Sequence, residues 1–184
     1  MKCLMSMKAF VIFVLLLKNV FSSNVFISHY VFEWGMKNPK IVEEYLRSSS
    51  ETNAFCSYIL GNLYLFGIFV QQNIQKADWY ITKAANMNLP EAINSIGDGY
   101  YSGDIRKKDI KMALKFYKKA ANMGFGVAQF NAGVVLLNTA KTKIELKNAI
   151  WYLDRASKNQ KDLGDITNAA KRYKNLCKQK LKTY

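Results

Sequence analysis

The chain has 184 residues, of which 50% are apolar or aromatic and 22% charged. That excludes a disordered polar segment and leaves length for one domain with a substantial core. Two prolines and ten glycines exclude a collagen-like or linker-rich chain. Lys and Arg number 27 against 13 Asp and Glu, a formal charge of +14. Such an excess suits an acidic partner, an anionic lipid surface or a nucleic acid, while a solvated charged face is the ordinary alternative.

The first segment stands apart from the rest. Met1 to Lys8 carries Lys2 and Lys8 and no acid, Ala9–Leu17 is an unbroken apolar run, and Val20-Phe21-Ser22 follows Lys18. This is the outline of a secretory signal peptide over residues 1–22. A helix of nine residues rises only about 14 Å, against roughly 30 Å of bilayer core. Cleavage near Ser22 is therefore expected, with an uncleaved N-terminal membrane anchor from Ala9 to Ile27 as the alternative. No cysteine follows the apolar run closely enough for lipid attachment. The chain is expected to be exported, periplasmic or secreted.

Beyond a degenerate helical cap over residues 23–53, the chain repeats itself every 36 residues. Gly61, Gly97 and Gly133 keep that step, as do Ala77, Ala113 and Ala149, and Ala84, Ala120 and Ala156. Laying residues 56–91 on 92–127 gives ten identities, among them Tyr64 with Tyr100 and Gly67 with Gly103. A fixed period of this length is the signature of a solenoid, whose repeats bury their apolar faces by stacking. The expected fold is all-α, a short right-handed α/α solenoid of antiparallel helix pairs. Its three repeats lie at about 56–91, 92–127 and 128–163, within residues 54–162.

In the first repeat a helix from Ala54 ends at Gly67, a residue suited to a left-handed C-cap. Asn73 then caps a helix from Ile74 to about Met87. Pro90 suits the first turn of the next helix. The second repeat has helices over 92–101 and 110–123, with Gly103 as stop and Asp109 as N-cap. The third has helices over 127–138 and 142–158, opened by a capping box of Thr142 and Glu145. The glycines inside helices are expected to let a facing helix approach, with Ala84, Ala120 and Ala156 as the small partners. Residues 163–184 form a Lys-rich capping helix, over 165–181, and a basic tail.

Nothing in the chain assembles into a reactive constellation. His29 is the one histidine, and a metal cage needs three or four ligands. Gly97-Asp98-Gly99 and Gly124-Phe125-Gly126 lack the strand that a dinucleotide loop requires. No metal, cofactor or enzymatic activity is expected. Beyond the leader, Cys56 and Cys177 are 121 positions apart, too many repeats for a bridge within one solenoid, and both read as buried thiols.

Leu60-Gly61-x-x-Tyr64-x-x-Gly67, followed by Ala77, Tyr80, Lys83, Ala84 and Ala85, resembles the Sel1-like repeat, a relative of the tetratricopeptide repeat. Repeat two is the fullest copy, with Ile96-Gly97, Tyr100, Gly103, Ala113 and Phe116-Tyr117-Lys118-Lys119-Ala120-Ala121. Repeat three replaces Tyr64 by Leu136 and Gly67 by Thr139. The resemblance implies a scaffold or adaptor that binds a protein or peptide through the concave face of its first helices. It places Tyr58, Asn62, Asn94, Asp98, Tyr101 and Phe130 on that face, although aromatic residues at helical spacing also serve as core. The competing surface is basic: Arg106, Lys107, Lys108, Lys111, Lys115 and Lys118 would meet lipid headgroups or lipopolysaccharide. Nucleic acid suits an exported protein poorly. Expressed with its leader in an exporting host, the protein should begin at Ser23 on N-terminal sequencing. A chain that keeps Met1 and sediments with membranes would instead reveal the anchor.

Overall fold

The computed structural model describes residue 35, residues 37–159 and residues 164–183. The expected leader, His29 and the first part of the expected N-terminal cap lie outside the described residues. Eight helices are found among those described: α1 (Pro39–Ser49), α2 (Ala54–Phe66), α3 (Ile74–Asn86), α4 (Pro90–Ser102), α5 (Ile110–Asn122), α6 (Gly126–Thr139), α7 (Lys143–Lys158) and α8 (Gly164–Lys182). The fold is an all-α solenoid whose helix pairs follow the 36-residue period. No helix among the described residues is long and apolar enough to cross a membrane. The chain forms two compact units, one ending at Lys83 and the other beginning at Ala84.

The helix limits follow from local chemistry. Asn53 Oδ1 accepts from the amides of Phe55 and Cys56 at 2.9 and 3.2 Å, opening α2. Gly67 closes it with φ +67°, where a side chain would be strained. Asn73 Oδ1 accepts from Lys76 N at 2.8 Å, and Asp109 Oδ1 from Met112 N at 3.0 Å. Thr142 and Glu145 exchange reciprocal bonds at the head of α7. Each device satisfies amides that have no partner within the helix.

In the first unit the core is Val42 and Leu46 of α1, Cys56, Leu60, Leu63 and Tyr64 of α2, and Ala77 and Tyr80 of α3. The Tyr64 and Tyr80 rings stack at 5.8 Å. The Tyr64 hydroxyl donates to Glu43 Oε1 at 2.6 Å, which ties α2 to α1. In the second unit Tyr100 and Phe116, one period later, stack at 5.7 Å. There α7 packs against both α6 and α8. Lys174 of α8 reaches Asp154 of α7 at 2.8 Å, and Ala170 and Cys177 of α8 are fully buried. Cys56 and Cys177 are both buried free thiols.

The helical glycines mark where paired helices meet. A Cβ on Gly61 would lie 2.7 Å from Ile81 and 3.2 Å from the Ala77 carbonyl oxygen. On Gly97 it would lie 2.7 Å from the Tyr117 ring and 3.3 Å from the Ala113 oxygen. On Gly133 it would lie 2.5 Å from Leu153 and 3.3 Å from the Ala149 oxygen. The facing residues are therefore Ala77, Ala113 and Ala149 together with the large side chain four positions on. This corrects the expectation that Ala84, Ala120 and Ala156 face the glycines. Those alanines are buried, but the crossing point lies two turns earlier on the second helix, where the backbone itself is the neighbour.

This geometry separates two glycines of one helix. Gly97→Ala gains about 1 kcal/mol of helix propensity, yet it overpacks a backbone contact, which typically costs about 1–3 kcal/mol. Because the Tyr117 ring is buried and the alanine carbonyl cannot rotate away, a net loss of up to about 2 kcal/mol is expected in urea unfolding. A Cβ on Gly99 meets nothing closer than 3.6 Å, so Gly99→Ala should be neutral or stabilising by up to about 1 kcal/mol. Equal effects at the two positions would contradict this account of the crossing.

Candidate functional site

In α4 the residues Glu91, Asn94, Asp98 and Tyr101 recur at steps of three and four, which sets them along one face. Pro90 starts this helix and Gly103 ends it with φ +91°. Gly97 brings α5 close, and with it the Tyr117 ring. Tyr117 is a buried residue of the α5 packing surface, so its hydroxyl must find a partner.

That partner is Asp98. The Tyr117 hydroxyl donates to Asp98 Oδ1 at 2.8 Å, and Asn94 Nδ2 donates to Asp98 Oδ2 at 2.9 Å. Asn131, on α6, donates to Asn94 Oδ1 at 3.1 Å and reaches Asp98 Oδ1 at 3.5 Å. Three helices thus converge on one carboxylate. Asn94 is only 5% exposed, so its amide is a fixed support. Asp98 itself keeps an exposed edge.

The electrostatics follow from that placement. Desolvation by the surrounding groups raises the Asp98 pKa, and the Tyr117 hydrogen bond acts in the opposite direction. Burial, followed by the nearby Asp98 charge, drives the Tyr117 phenol far up, so it stays protonated. The arrangement offers a carboxylate acceptor held by neutral donors. A phenol held in its protonated form does not act as a base at neutral pH.

The remaining expected face residues are differently engaged. Asn62 donates to the Tyr58 carbonyl at 2.9 Å, within α2, and both residues are half-buried. Tyr101 is 41% exposed. Phe130 packs edge-on against Tyr173 of α8, with centroids 5.6 Å apart. Asn94, expected to point outward, is buried and contributes by holding Asp98. Asn131 was not among the expected face residues, because its role depends on a contact between helices one period apart.

On the basic side, Lys111, Lys115, Lys118 and Lys119 line a shallow depression with Leu114 and Asn122. Lys107 and Lys108 are exposed in the preceding loop. Arg106 instead lies 5.4 Å over the Tyr100 ring, so its guanidinium is partly taken up in packing.

A model of the Sel1 repeat family matches residues 54–89 and 90–125. The expected third repeat, over 128–163, lies outside those two matches. The chain is similar to a Sel1 repeat protein from Oxalobacter formigenes, with a TM-score of 0.60 and 24% identity, over 70% of this chain and 96% of that one. It is also similar to a protective antigen of uropathogenic Escherichia coli strains that displays an SLR fold, with a TM-score of 0.59 and 26% identity. That match covers 62% of this chain and 25% of the antigen. No curated protein matches the chain.

The raised Asp98 pKa has a checkable sign. By carboxyl carbon NMR, Asp98 should titrate above the ordinary 3.8, and Tyr117→Phe should move it higher by removing a bond that favours the ionised form. Asp154, held by Lys158 and then Lys174, should titrate at about 2. The linkage consequences are opposite. The Asp154 contribution is present above the unfolded value and lost as pH falls through about 2. Asp98 opposes the native state above its folded pKa, and that opposition is relieved as pH falls through it. An Asp98 midpoint at or below 3.8 would overturn the desolvation argument.

Proposed function

We propose, for a chain that belongs to the Sel1-like repeat family, that it is an exported scaffold that binds a protein or peptide partner through the faces of its first helices. Sel1 repeat proteins are generally protein-interaction scaffolds and typically not enzymes. The observation that carries the finer reading is the Asp98 network, in which three helices order polar groups at a surface rather than in a closed core. Tyr101 supplies an exposed ring on the same face of α4, and aromatic residues beside fixed polar groups are common binding anchors. Tyr58 and Asn62 belong to the corresponding face of α2 in the first unit. The leader over residues 1–22 supports a periplasmic or secreted setting.

The four lysines around the α5 depression support a second reading, contact with an anionic surface such as lipid headgroups or lipopolysaccharide. The two readings differ in their response to salt, because exposed charges are screened beyond about 8–10 Å at physiological ionic strength. Tagged full-length protein, expressed in an exporting host, should retain one protein at both low and high salt. Tyr101→Ala should weaken that retention at least tenfold, and Lys111→Glu with Lys115→Glu should leave it intact. Retention that is lost in salt and in the lysine variant, yet indifferent to Tyr101→Ala, would replace the first reading by the second.

A further inference from the structure

Charge is segregated by helix across α4, α5 and α6 of the second unit. The α5 helix carries Lys111, Lys115, Lys118 and Lys119 and no acid. The α4 helix carries Glu91 and Asp98 and neither Lys nor Arg, and α6 carries no charged residue. In a chain of formal charge +14, α4 is thus a negative helix.

Two carboxylates on that helix have unused accepting capacity. Glu91 Oε2 is buried and has no hydrogen-bond partner. An ionised carboxylate can accept about four hydrogen bonds, whereas Asp98 accepts from Tyr117, Asn94 and, at longer range, Asn131. Glu91 lies in the first turn of α4, where the helix dipole favours an acid. Asp98 has no such excuse. It lies in the C-terminal half of the helix, on the side where the dipole disfavours negative charge, and is partly desolvated as well.

Resting on the reading that this face binds a partner, we infer that Asp98 receives a cationic side chain, an arginine or lysine, from an extended segment of that partner, with Glu91, two turns away and with its Oε2 buried, adding negative charge rather than a contact. The network sets the chemistry. Asn94, Asn131 and Tyr117 turn N–H and O–H donors toward the carboxylate, which repels a bare metal cation at those positions and leaves the outer lone pairs for another N–H donor. A guanidinium fits best, because it presents several donors in one plane. The buried Asn94 and Tyr117 hold the acceptor in place before the ligand arrives, which reduces the ordering that binding requires.

The test uses the full chain, isotopically labelled, and acetyl-arginine methylamide as probe, with its neutral ureido isostere acetyl-citrulline methylamide as control. Saturable NMR shifts are expected at the Asn94 and Asn131 side-chain amides and the Asp98 backbone amide with the arginine probe and not with the isostere. Asp98→Asn, which keeps an acceptor for Tyr117, should weaken the effect at least tenfold while thermal unfolding confirms the fold. Glu91→Gln should weaken it less. Shifts that are absent, equal with the isostere, or unchanged in Asp98→Asn would overturn the assignment. The two readings fail separately. A partner retained equally by wild type and Asp98→Asn removes the cation site and leaves the scaffold. A saturable, Asp98-dependent arginine site with no partner retained supports the cation site and removes the scaffold.

Discussion

The close approach of paired helices at Gly61, Gly97 and Gly133 is the constraint from which the remaining architecture follows. Each glycine faces the carbonyl of an alanine 16 positions on, at 3.2 to 3.3 Å from where a Cβ would stand. With both backbones bare at the crossing, the next large residue of the second helix is pressed across the first. Ile81, Tyr117 and Leu153 fill that slot, one per period. Glycine inside a helix costs about 1 kcal/mol of propensity, and the burial of these side chains, worth roughly 1.5–3 kcal/mol for a large apolar residue, offsets it.

Two members of that slot are aliphatic and finish as core. Tyr117 is the exception, since it brings a hydroxyl into a position that packing has already chosen. A buried hydroxyl without a partner costs about 1–3 kcal/mol, and Asp98 on the facing helix meets the need at 2.8 Å. Once Asp98 is placed there, its other oxygen engages Asn94, and Asn94 in turn engages Asn131. The polar site is thus the consequence of one polar atom in an otherwise apolar slot. The repeats that carry Ile81 and Leu153 place Asn62 and Val134 where Asp98 stands, and neither can accept as a carboxylate does. An array of helix pairs with a common crossing thereby acquires one chemically distinct position.

Much of the architecture was legible because it is local or periodic. The 36-residue step, Gly67, Gly103, Asn73, Asp109 and the Thr142–Glu145 box are all visible as letters at fixed spacing, and each acts on neighbours in sequence. The crossing partners were misplaced because period alone does not say which turn of the second helix is nearest; Ala84 and Ala77 recur with the same step. The polar stripe on α4 was legible, since Asn94, Asp98 and Tyr101 obey helical spacing. What spacing could not show is that Asn94 is spent inward on Asp98, or that Asn131 joins them. Those facts depend on how α5, packed against both α4 and α6, brings their side chains within reach, a tertiary distance with no counterpart in a single helix.

The net charge of the chain is a poor guide to that site. Screening confines exposed charges to about 8–10 Å in physiological salt, so on the proposed reading the lysines of α5 and α8 would act on approach while Asp98 would act at contact. A cationic segment would meet mild repulsion at a distance and an acceptor at close range, which favours a discriminating site over a fast one. On that reading the lysines would not compete with the α4 face, because they would discourage nonspecific capture of basic chains that lack the geometry to reach Asp98. An anionic surface would be drawn to the opposite helices. The segregation of Lys111, Lys115, Lys118 and Lys119 from Asp98 and Glu91 onto separate helices would let one small unit address partners of either sign on different faces, should both proposed readings hold.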